Sequence, residues 1–229
     1  MALRSLPRAA LGLALILPLA ACGTAQQDPL VTAVRAIASG VLGGGDDAPA
    51  GPQLTAATVP PAILAQVQGP LILVETTRLG GTTLMTQVGR NGPDVTWRGP
   101  EGFGLTLGEA GLLRSTRGLG FDLMATDVRP TVAALRQHRA GPVDRLMVHV
   151  DGEGQELRVV HRCSLSLDGP GRVVIAGTER TLTRMTETCR FDGESYENIY
   201  WLDGSGRAVQ SYQWVSPRIG HMQITTLRN

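Results

Sequence analysis

The sequence predicts a mainly β protein, an antiparallel β-sandwich or open barrel of about ten to twelve strands with one or two short helices. From residue 71 onward, short runs rich in apolar and β-branched residues recur along the chain. Turn signals built on glycine, asparagine, aspartate and proline separate these runs at about every ten residues, which is typical of sandwiches and barrels. The connections are short, so neighbouring strands are predicted to pair antiparallel. The sequence has no internal repeat of fixed period, which disfavours a propeller.

Residues 1–21 have the pattern of a secretory signal peptide. Arg4 and Arg8 supply a positive start, and the apolar run that follows is shorter than the ~20 residues a membrane-spanning helix needs. The run ends in Leu19-Ala20-Ala21-Cys22, which resembles the lipobox of bacterial lipoproteins. We therefore predict cleavage before Cys22 and lipid attachment to that residue, because several acyl chains anchor a protein stably. The alternative is an ordinary signal peptide in which Cys22 is incidental.

The stretch after the predicted anchor is a tether. Gly23 stands where an aspartate would resemble an inner-membrane retention signal, so the anchor is predicted to lie in the outer membrane, on its periplasmic face. Asp28-Pro29 begins a short predicted helix, and residues 43–52 form a linker rich in glycine and proline. Residues 22–58 are thus assigned to the tether, and residues 59–229 to a single all-β domain.

The elements of the domain follow in chain order. Residues 61–68 are compatible with one or two helical turns, and residues 127–139 carry apolar residues at helical spacing, which predicts one helix or an irregular crossover. Glycine-rich segments at 168–171 and 203–206 predict turns. The predicted strands cover residues 71–77, 82–90, 94–97, 103–107, 112–116, 146–150, 157–162, 164–167, 172–176, 181–191, 195–202, 208–215 and 221–227.

Two cysteines remain after lipidation of Cys22. Cys163 and Cys189 are predicted to form a disulfide, because a secreted chain folds in an oxidising compartment. The bond would close a loop of ~25 residues, which corresponds to about 3 kcal/mol in the chain-entropy model. The alternative is a pair of free thiols. Two cysteines without nearby further ligands do not make a zinc site, so no metal and no cofactor is predicted.

The charge balance excludes nucleic acid as a partner. The full chain has a net charge of +1, and removal of the two arginines in the leader brings the mature chain to −1. A nucleic-acid-binding domain would show a basic excess, which is absent here. All basic residues are arginine, which we attribute to composition bias rather than to function.

The stretch from Gly111 to Asp127 is the densest in groups that could do chemistry. One interpretation is a polar cleft in which Arg114 and Arg117 grip an acidic sugar and Asp122 or Asp127 acts as acid or base. The other is a strand that runs into a loop, with Arg–Asp pairs that hold the backbone. No spacing singles out a pair of carboxylates as in a glycosidase, and no catalytic residue is predicted.

Aromatic residues cluster near the C-terminus. Tyr212 and Trp214 stand two apart on one predicted strand and should therefore share a face. Exposed rings on that face would stack on sugars and form a candidate site for a ligand or partner. Buried rings would simply be core, where aromatic residues contribute most of their energy.

Several segments of the chain resemble the YjbF/GfcB family of outer-membrane lipoproteins linked to capsule and exopolysaccharide production. The resemblance covers roughly residues 60–229 and the lipobox, and it rests on these segments: Asn91-Gly92 with Val95-Thr96-Trp97, Gly102 to Leu107, Thr116 to Met124, Asn198-Ile199-Tyr200-Trp201, and Gln213 to Pro217 with Gly220.

The resemblance implies an all-β periplasmic lipoprotein that works with polysaccharide synthesis or export. We expect a non-enzymatic role, in which the protein binds glycan or a secretion partner. The alternatives are a periplasmic glycan hydrolase or modifying enzyme, which would use the Arg114–Asp127 stretch, and an assembly factor for other outer-membrane components. The resemblance supplies no catalytic residues.

Overall fold

A computed structural model describes residues 54–99, 102–150 and 154–229. The predicted signal peptide, Cys22 and most of the predicted tether lie outside these residues. Among the described residues, no helix combines the length and the apolar character that a membrane crossing requires. The described helices are α1 (Pro61–Gln66) and α2 (Arg129–Arg136), and a 3₁₀ turn spans Glu109–Gly111. The strands are β1 (Leu71–Thr76), β2 (Gly81–Asn91), β3 (Asp94–Arg98), β4 (Gly104–Leu107), β5 (Leu113–Arg117), β6 (Leu123–Asp127), β7 (Gly141–Val150), β8 (Glu156–Ile175), β9 (Thr178–Phe191), β10 (Glu194–Leu202), β11 (Ala208–Ser216) and β12 (Gly220–Arg228).

The twelve strands form one antiparallel sheet with the order β5-β4-β3-β2-β1-β12-β11-β10-β9-β8-β7-β6. Strands that are consecutive in the chain pair with each other, except β5 and β6, and the pairing of β1 with β12 joins the two halves of the meander. The sheet curls into a nearly closed barrel, so that β5 and β6 are its two edges. The mainly β, antiparallel fold predicted from the sequence is confirmed, and of the two alternatives the barrel is the one adopted.

Side chains close the seam between β5 and β6. Thr116 Oγ1 donates to the carboxylate of Asp122 at 2.8 Å and accepts the backbone N–H of Leu123 at 2.9 Å. The guanidinium of Arg117 donates to the carbonyl oxygens of Thr116 and Leu123, at 2.6 and 3.4 Å. These bonds satisfy backbone groups that an unpaired sheet edge would expose, and such edges invite pairing with other chains.

The barrel is filled by alternate side chains of its strands. In β8, His161, Cys163 and Leu165 are buried, whereas the intervening Arg162 and Ser164 are exposed. This alternation is the period-two pattern of a strand with one face in the core. The predicted disulfide is present: Cys163 and Cys189 are bonded, and they face each other across β8 and β9.

A second, smaller core lies outside the barrel wall. Leu71, Leu73 and Leu84 of β1 and β2 pack against the segment that precedes β1. That segment contributes Ala56, Val59, Ile63 and Val67. The guanidinium of Arg228 donates to the carbonyl oxygens of Leu64 and Val67 and so fastens the segment to β12. The part of the predicted tether that the structure describes is thus packed on the domain.

The β8–β9 hairpin extends beyond its neighbours along the outside of the barrel. Gly171 lies against the indole of Trp201, where an added Cβ would come within 3.0 Å. At the hairpin tip, Ala176 N–H donates to the carbonyl of Ala56 at 2.8 Å. The predicted turn at 168–171 is wrong, because a β-bulge between Leu167 and Gly169 bends the strand without reversing it. For the same reason the predicted strands 157–162, 164–167 and 172–176 are one strand.

Candidate functional site

A cavity of about 440 Å³ lies at one end of the barrel. We call this the lower end; β1 begins there, and the β2–β3, β4–β5, β6–β7 and β10–β11 connections lie there. The cavity falls within the range of roughly 300–1,000 Å³ that is usual for small-molecule sites. Its lining includes Arg90, Trp97, Glu109, Arg136 and Arg207. We call it the arginine cavity.

Positive charge predominates in the lining of the arginine cavity. Arg90 comes from the end of β2, Arg136 from the end of α2 and Arg207 from the β10–β11 loop. The carboxylate in the lining belongs to Glu109, which lies 3.2 Å from the guanidinium of Arg136. Among the described residues, no carboxylate lies within ion-pair distance of Arg90 or Arg207.

Trp97 is a lining residue of the cavity and also holds a buried hydrogen-bond donor. The residue is 4% exposed, and within the described part of the chain its indole N–H has no acceptor. A buried N–H without a partner costs about 1–3 kcal/mol, so such groups are uncommon unless a ligand or a water satisfies them. The indole nitrogen has almost no accessible surface, so the charge of the arginines is what the cavity offers to a ligand rich in oxygen atoms.

Two glycines fix the walls of the cavity. Gly206 has φ +76 and lies so close to α2 that an added Cβ would stand 2.5 Å from Cα of Arg136. Gly111 has φ +77 and packs against the backbone of Ala208, where a Cβ would stand 3.2 Å from the carbonyl oxygen. Glycine is therefore required at both positions, and the loops that carry Glu109, Arg136 and Arg207 are held together.

The interior of the barrel contains a buried ion pair. The guanidinium of Arg145 donates to the carboxylate of Glu187 at 2.8 Å, and both side chains are almost completely buried. Glu187 also accepts from Thr131 of α2, from Asn198 and from the hydroxyl of Tyr200, at 2.7–2.9 Å. Burial opposes the charge on Arg145, but Glu187 and Tyr200 outweigh it and raise the pKa of Arg145. The carboxylate is fully occupied by protein donors, so we assign it a structural role.

Aromatic rings fill the interior near the upper end. His161 Nδ1 lies 2.8 Å from the hydroxyl of Tyr196, and the imidazole stacks on Phe191 with ring centroids 4.2 Å apart. Burial, together with the charges of His149 and Arg145, lowers the pKa of His161 to about 4. His161 is therefore neutral at physiological pH and serves as a core aromatic group.

Arg117 and Asp122, two residues of the predicted cleft, lie at the β5–β6 seam. Asp122 accepts hydrogen bonds from Thr116 Oγ1 and from the backbone N–H groups of Gly118 and Leu119. These contacts correspond to the structural alternative, in which the charged side chains hold the backbone.

Arg114 and Asp127 lie on β5 and β6, toward the lower end of the same two edge strands, and the charge of Arg114 acts on Asp127. Arg114 lies 3.8 Å from the carboxylate of Asp94. Asp127 accepts hydrogen bonds from Arg129, which lowers the pKa of Asp127 to about 2. A carboxyl group with so low a pKa is ionised at neutral pH and cannot serve as a general acid there.

The two predicted aromatic site residues lie in different surroundings. Trp214 is 8% exposed and stacks on Tyr196 in the interior, with centroids 4.5 Å apart. Tyr212 is half-buried and stacks on His221 at 4.2 Å. The pairing of β11 with β12 is regular from Gln210 to Trp214, so the two residues differ in the rings they contact and not in the register of the strand.

A metal site does not emerge from the described residues. Cys163, Cys189 and Glu187 lie within 4.8 Å of one another, but the two sulfur atoms are bonded to each other. A disulfide offers no thiolate, and thiolate is the form in which cysteine binds metals.

The residues of the arginine cavity were not predicted from the sequence. Arg90, Trp97, Arg136 and Arg207 lie far apart in the chain and belong to no motif. The glycine-rich loop at 203–206 was noted as a hairpin connection, but its contact with α2 depends on closure of the barrel. The site is therefore a product of topology.

Comparison with known proteins identifies relatives. The profile of the family described as "Group 4 capsule polysaccharide lipoprotein gfcB, YjbF" matches residues 41–227. A crystal structure of a hypothetical lipoprotein YmcC from Escherichia coli (K12) is similar with a TM-score of 0.65 and 16% identity, over 75% of this chain and 90% of that chain. At this identity the likeness shows the fold alone. No curated protein sequence matches the chain significantly.

Proposed function

The chain belongs to the YjbF family of group 4 capsule polysaccharide lipoproteins, and we propose that it assists capsule or exopolysaccharide assembly or export by binding glycan. The observation that carries the proposal is the arginine cavity, whose lining holds three arginines and one carboxylate. Sugars present many hydroxyl and acid oxygens, and a few convergent donors in a concave site are what orient such ligands.

We propose a binding role rather than a catalytic one. A glycoside hydrolase uses two carboxyl groups about 5–10 Å apart, one on each side of the bond that breaks. Glu109 is the carboxylate described in the lining of the cavity, and it is paired with Arg136. Asp122 and Asp127, which the enzymatic interpretation would use, are engaged by the seam and by Arg129.

The proposed location is the periplasmic face of the outer membrane. A lipoprotein family implies a membrane anchor, and Cys22 is the residue proposed to carry it. Gly23 at the next position favours the outer membrane over the inner one. The domain would then meet polysaccharide on its way to the cell surface.

A single experiment tests both proposals on function. The mature chain with Cys22→Ala is mixed with surface polysaccharide of the producing organism, and binding and new reducing ends are recorded in the same samples. We expect binding without new reducing ends. New reducing ends would establish an enzyme and make Asp122 and Asp127 the first residues to replace. Absence of both signals would contradict the glycan proposal.

A secretion protein is the second candidate partner. The observation that favours it is a groove on the outer wall of β8, β9 and β10, lined by Val160, Arg162 and Arg190. Val160 is 57% exposed and Leu157 on the same strand is 54% exposed, so this part of β8 presents apolar side chains to solvent. Cross-linking from position 160 in cells should yield a defined adduct if a protein binds there, whereas the same probe at Leu79 on the β1–β2 turn serves as the control.

A further inference from the structure

We infer that the arginine cavity recognises an anionic sugar residue, one that bears a carboxylate or a phosphate group. This inference rests on the proposed glycan-binding function and specifies the class of glycan. The position of the charges supports this inference. The use of arginine does not, because the chain contains no lysine at all.

The lining of the arginine cavity carries more positive than negative charge. Three guanidinium groups and one carboxylate line the cavity, which leaves a local excess of positive charge in a mature chain whose net charge is slightly negative. Asp203 lies in the loop next to Arg207, but its carboxylate accepts the backbone N–H groups of Ser205 and Arg207. Asp203 keeps its negative charge and interacts electrostatically with Arg207, so the charge of Arg207 is partly compensated. Within the described part of the chain, Arg90 is the lining arginine that has no such acidic neighbour in any ion pair.

The three arginines of the cavity converge from different parts of the fold. Arg90, Arg136 and Arg207 come from three connections of the barrel and line one cavity. Guanidinium groups bind carboxylate and phosphate oxygens through pairs of parallel hydrogen bonds, which is how such a cluster selects planar or tetrahedral anions.

A second depression next to the arginine cavity favours a glycan chain over a small ion as the ligand. A second depression of about 350 Å³ adjoins the arginine cavity and shares Arg207, Ala208 and Thr226 with it. Arg180 of the β8–β9 hairpin lines this second depression. Arg207 therefore stands between two depressions, and successive acidic residues of one glycan strand would meet Arg90 and Arg136 on one side and Arg180 on the other.

The test compares chemically altered forms of one polysaccharide. The mature chain with Cys22→Ala is titrated with surface polysaccharide of the producing organism in its native form, after reduction of its carboxyl groups to alcohols, and after removal of its phosphate esters with hydrofluoric acid. Loss of affinity after the first treatment assigns a carboxylate, and loss after the second assigns a phosphate; either result supports the inference. Equal affinity for all three forms overturns it and leaves the proposed function intact. Failure to bind the native form overturns the proposed function itself.

Variants localise the effect to the cavity. The double substitution Arg90→Ala/Arg207→Ala should weaken binding of the native form by about tenfold or more, because each lost charge-assisted bond contributes roughly a factor of ten. The matched control is Arg98→Ala/Arg158→Ala, which removes two exposed arginines outside both depressions and outside the groove on β8, β9 and β10. Circular dichroism verifies that both variants are folded. Equal affinity of the two double variants would overturn the assignment of the site.

Discussion

Arg145 is a charged side chain inside the barrel, and one carboxylate, that of Glu187, compensates its charge. Glu187 compensates the charge, and the remaining oxygen contacts of Glu187 come from neutral donors on α2 and β10. Removing charge from water costs several kcal/mol per ion, so a buried pair contributes little net stability while the loss of one partner is severe. The pair therefore enforces one arrangement of α2, β7, β9 and β10.

Replacement of one member of this pair should destabilise the barrel by about 3–5 kcal/mol. Glu187→Leu should lower the free energy of unfolding more than Arg145→Met, because Glu187 still accepts hydrogen bonds from three neutral donors when Arg145 is replaced. The double variant should cost less than the sum of the two single variants. Urea unfolding measures all three. The control is the exposed pair Arg158–Glu156, which has the same 2.8 Å separation and should contribute at most about 1 kcal/mol. Additive losses at Arg145 and Glu187 would contradict the pairing.

His161 should make stability depend on pH. Its pKa is about 4 in the folded protein against 6.5 in the unfolded chain, so between these values the unfolded state binds a proton that the folded state does not. The free energy of unfolding therefore falls as pH is lowered through this window, by at most roughly 1.4 kcal/mol per pH unit from this group.

Urea unfolding at pH 7, 6, 5 and 4.5 measures this dependence. His161→Gln, which keeps a polar atom near Tyr196, should flatten the curve between pH 6.5 and 4. Burial also lowers the pKa of His149, which is buried, and of His221, which is half-buried, so part of the slope should remain. Identical slopes for the wild type and His161→Gln would show that His161 is already accessible to protons in the folded state.

The seam between β5 and β6 is the place where the barrel depends on side chains instead of backbone pairing. Asp122→Ala removes three hydrogen bonds and leaves Thr116 and two backbone N–H groups without an acceptor. We expect the free energy of unfolding to fall by about 1–3 kcal/mol. Amide exchange should become faster than in the wild type, and more so in β5 and β6 than in β10. Affinity for glycan should be unchanged, because Asp122 lies at the opposite end of the barrel from the arginine cavity.

Asp168→Ala is the matched control for that variant. Asp168 also accepts several side-chain hydrogen bonds, from Ser166, Arg184 and Thr186, but it lies on paired strands. Its loss should therefore leave exchange at the seam unaltered. If Asp122→Ala abolished a polysaccharide-dependent activity while stability and exchange stayed at wild-type values, the catalytic interpretation of Asp122 would replace the structural one.

The strands were predictable because their signals are local. Alternating burial, β-branched composition and glycine-rich turns lie within a few residues of each other, and the hairpin from β10 to β11 follows its turn signal at 203–206. The bulge in β8 was misread because Asp168-Gly169-Pro170-Gly171 carries turn residues. Only the pairing of both flanks with β9 shows that the chain continues in the same direction.

The candidate site was not predictable, because its residues meet only when the barrel closes. Arg90 and Arg207 are separated by most of the domain and come together at the lower end through the pairing of β1 with β12. Nothing in the neighbourhood of either residue distinguishes it from the other arginines. The stretch from Gly111 to Asp127 attracted attention through local density of charge, and its aspartates are engaged by neighbours close in the chain.

For the whole molecule, the arrangement of the chain relates the anchor to the cavity. β1 begins at the lower end, where the arginine cavity also lies, and the segment before β1 is fastened along the outer wall by Leu71, Leu73 and Arg228. The described part of the N-terminal segment therefore lies close to the end that carries the proposed glycan site. Glycan binding and membrane attachment use separate residues and should be separable by substitution.

Substitution of Cys22 should release the protein from the membrane and leave glycan affinity unchanged. In cells given labelled palmitate, the wild-type chain should take up label and sediment with the outer membrane, whereas Cys22→Ala should be unlabelled and appear in the periplasmic fraction. A second variant tests the sorting of the anchored protein. The Gly23→Asp variant should still take up labelled palmitate but should sediment with the inner-membrane fraction. Label retained by Cys22→Ala would contradict the anchor, and an unchanged fraction for Gly23→Asp would contradict the sorting argument alone. Because Cys22 precedes the barrel and the cavity is built from β2, α2 and the β10–β11 loop, a loss of glycan affinity in Cys22→Ala would show that the anchor takes part in binding.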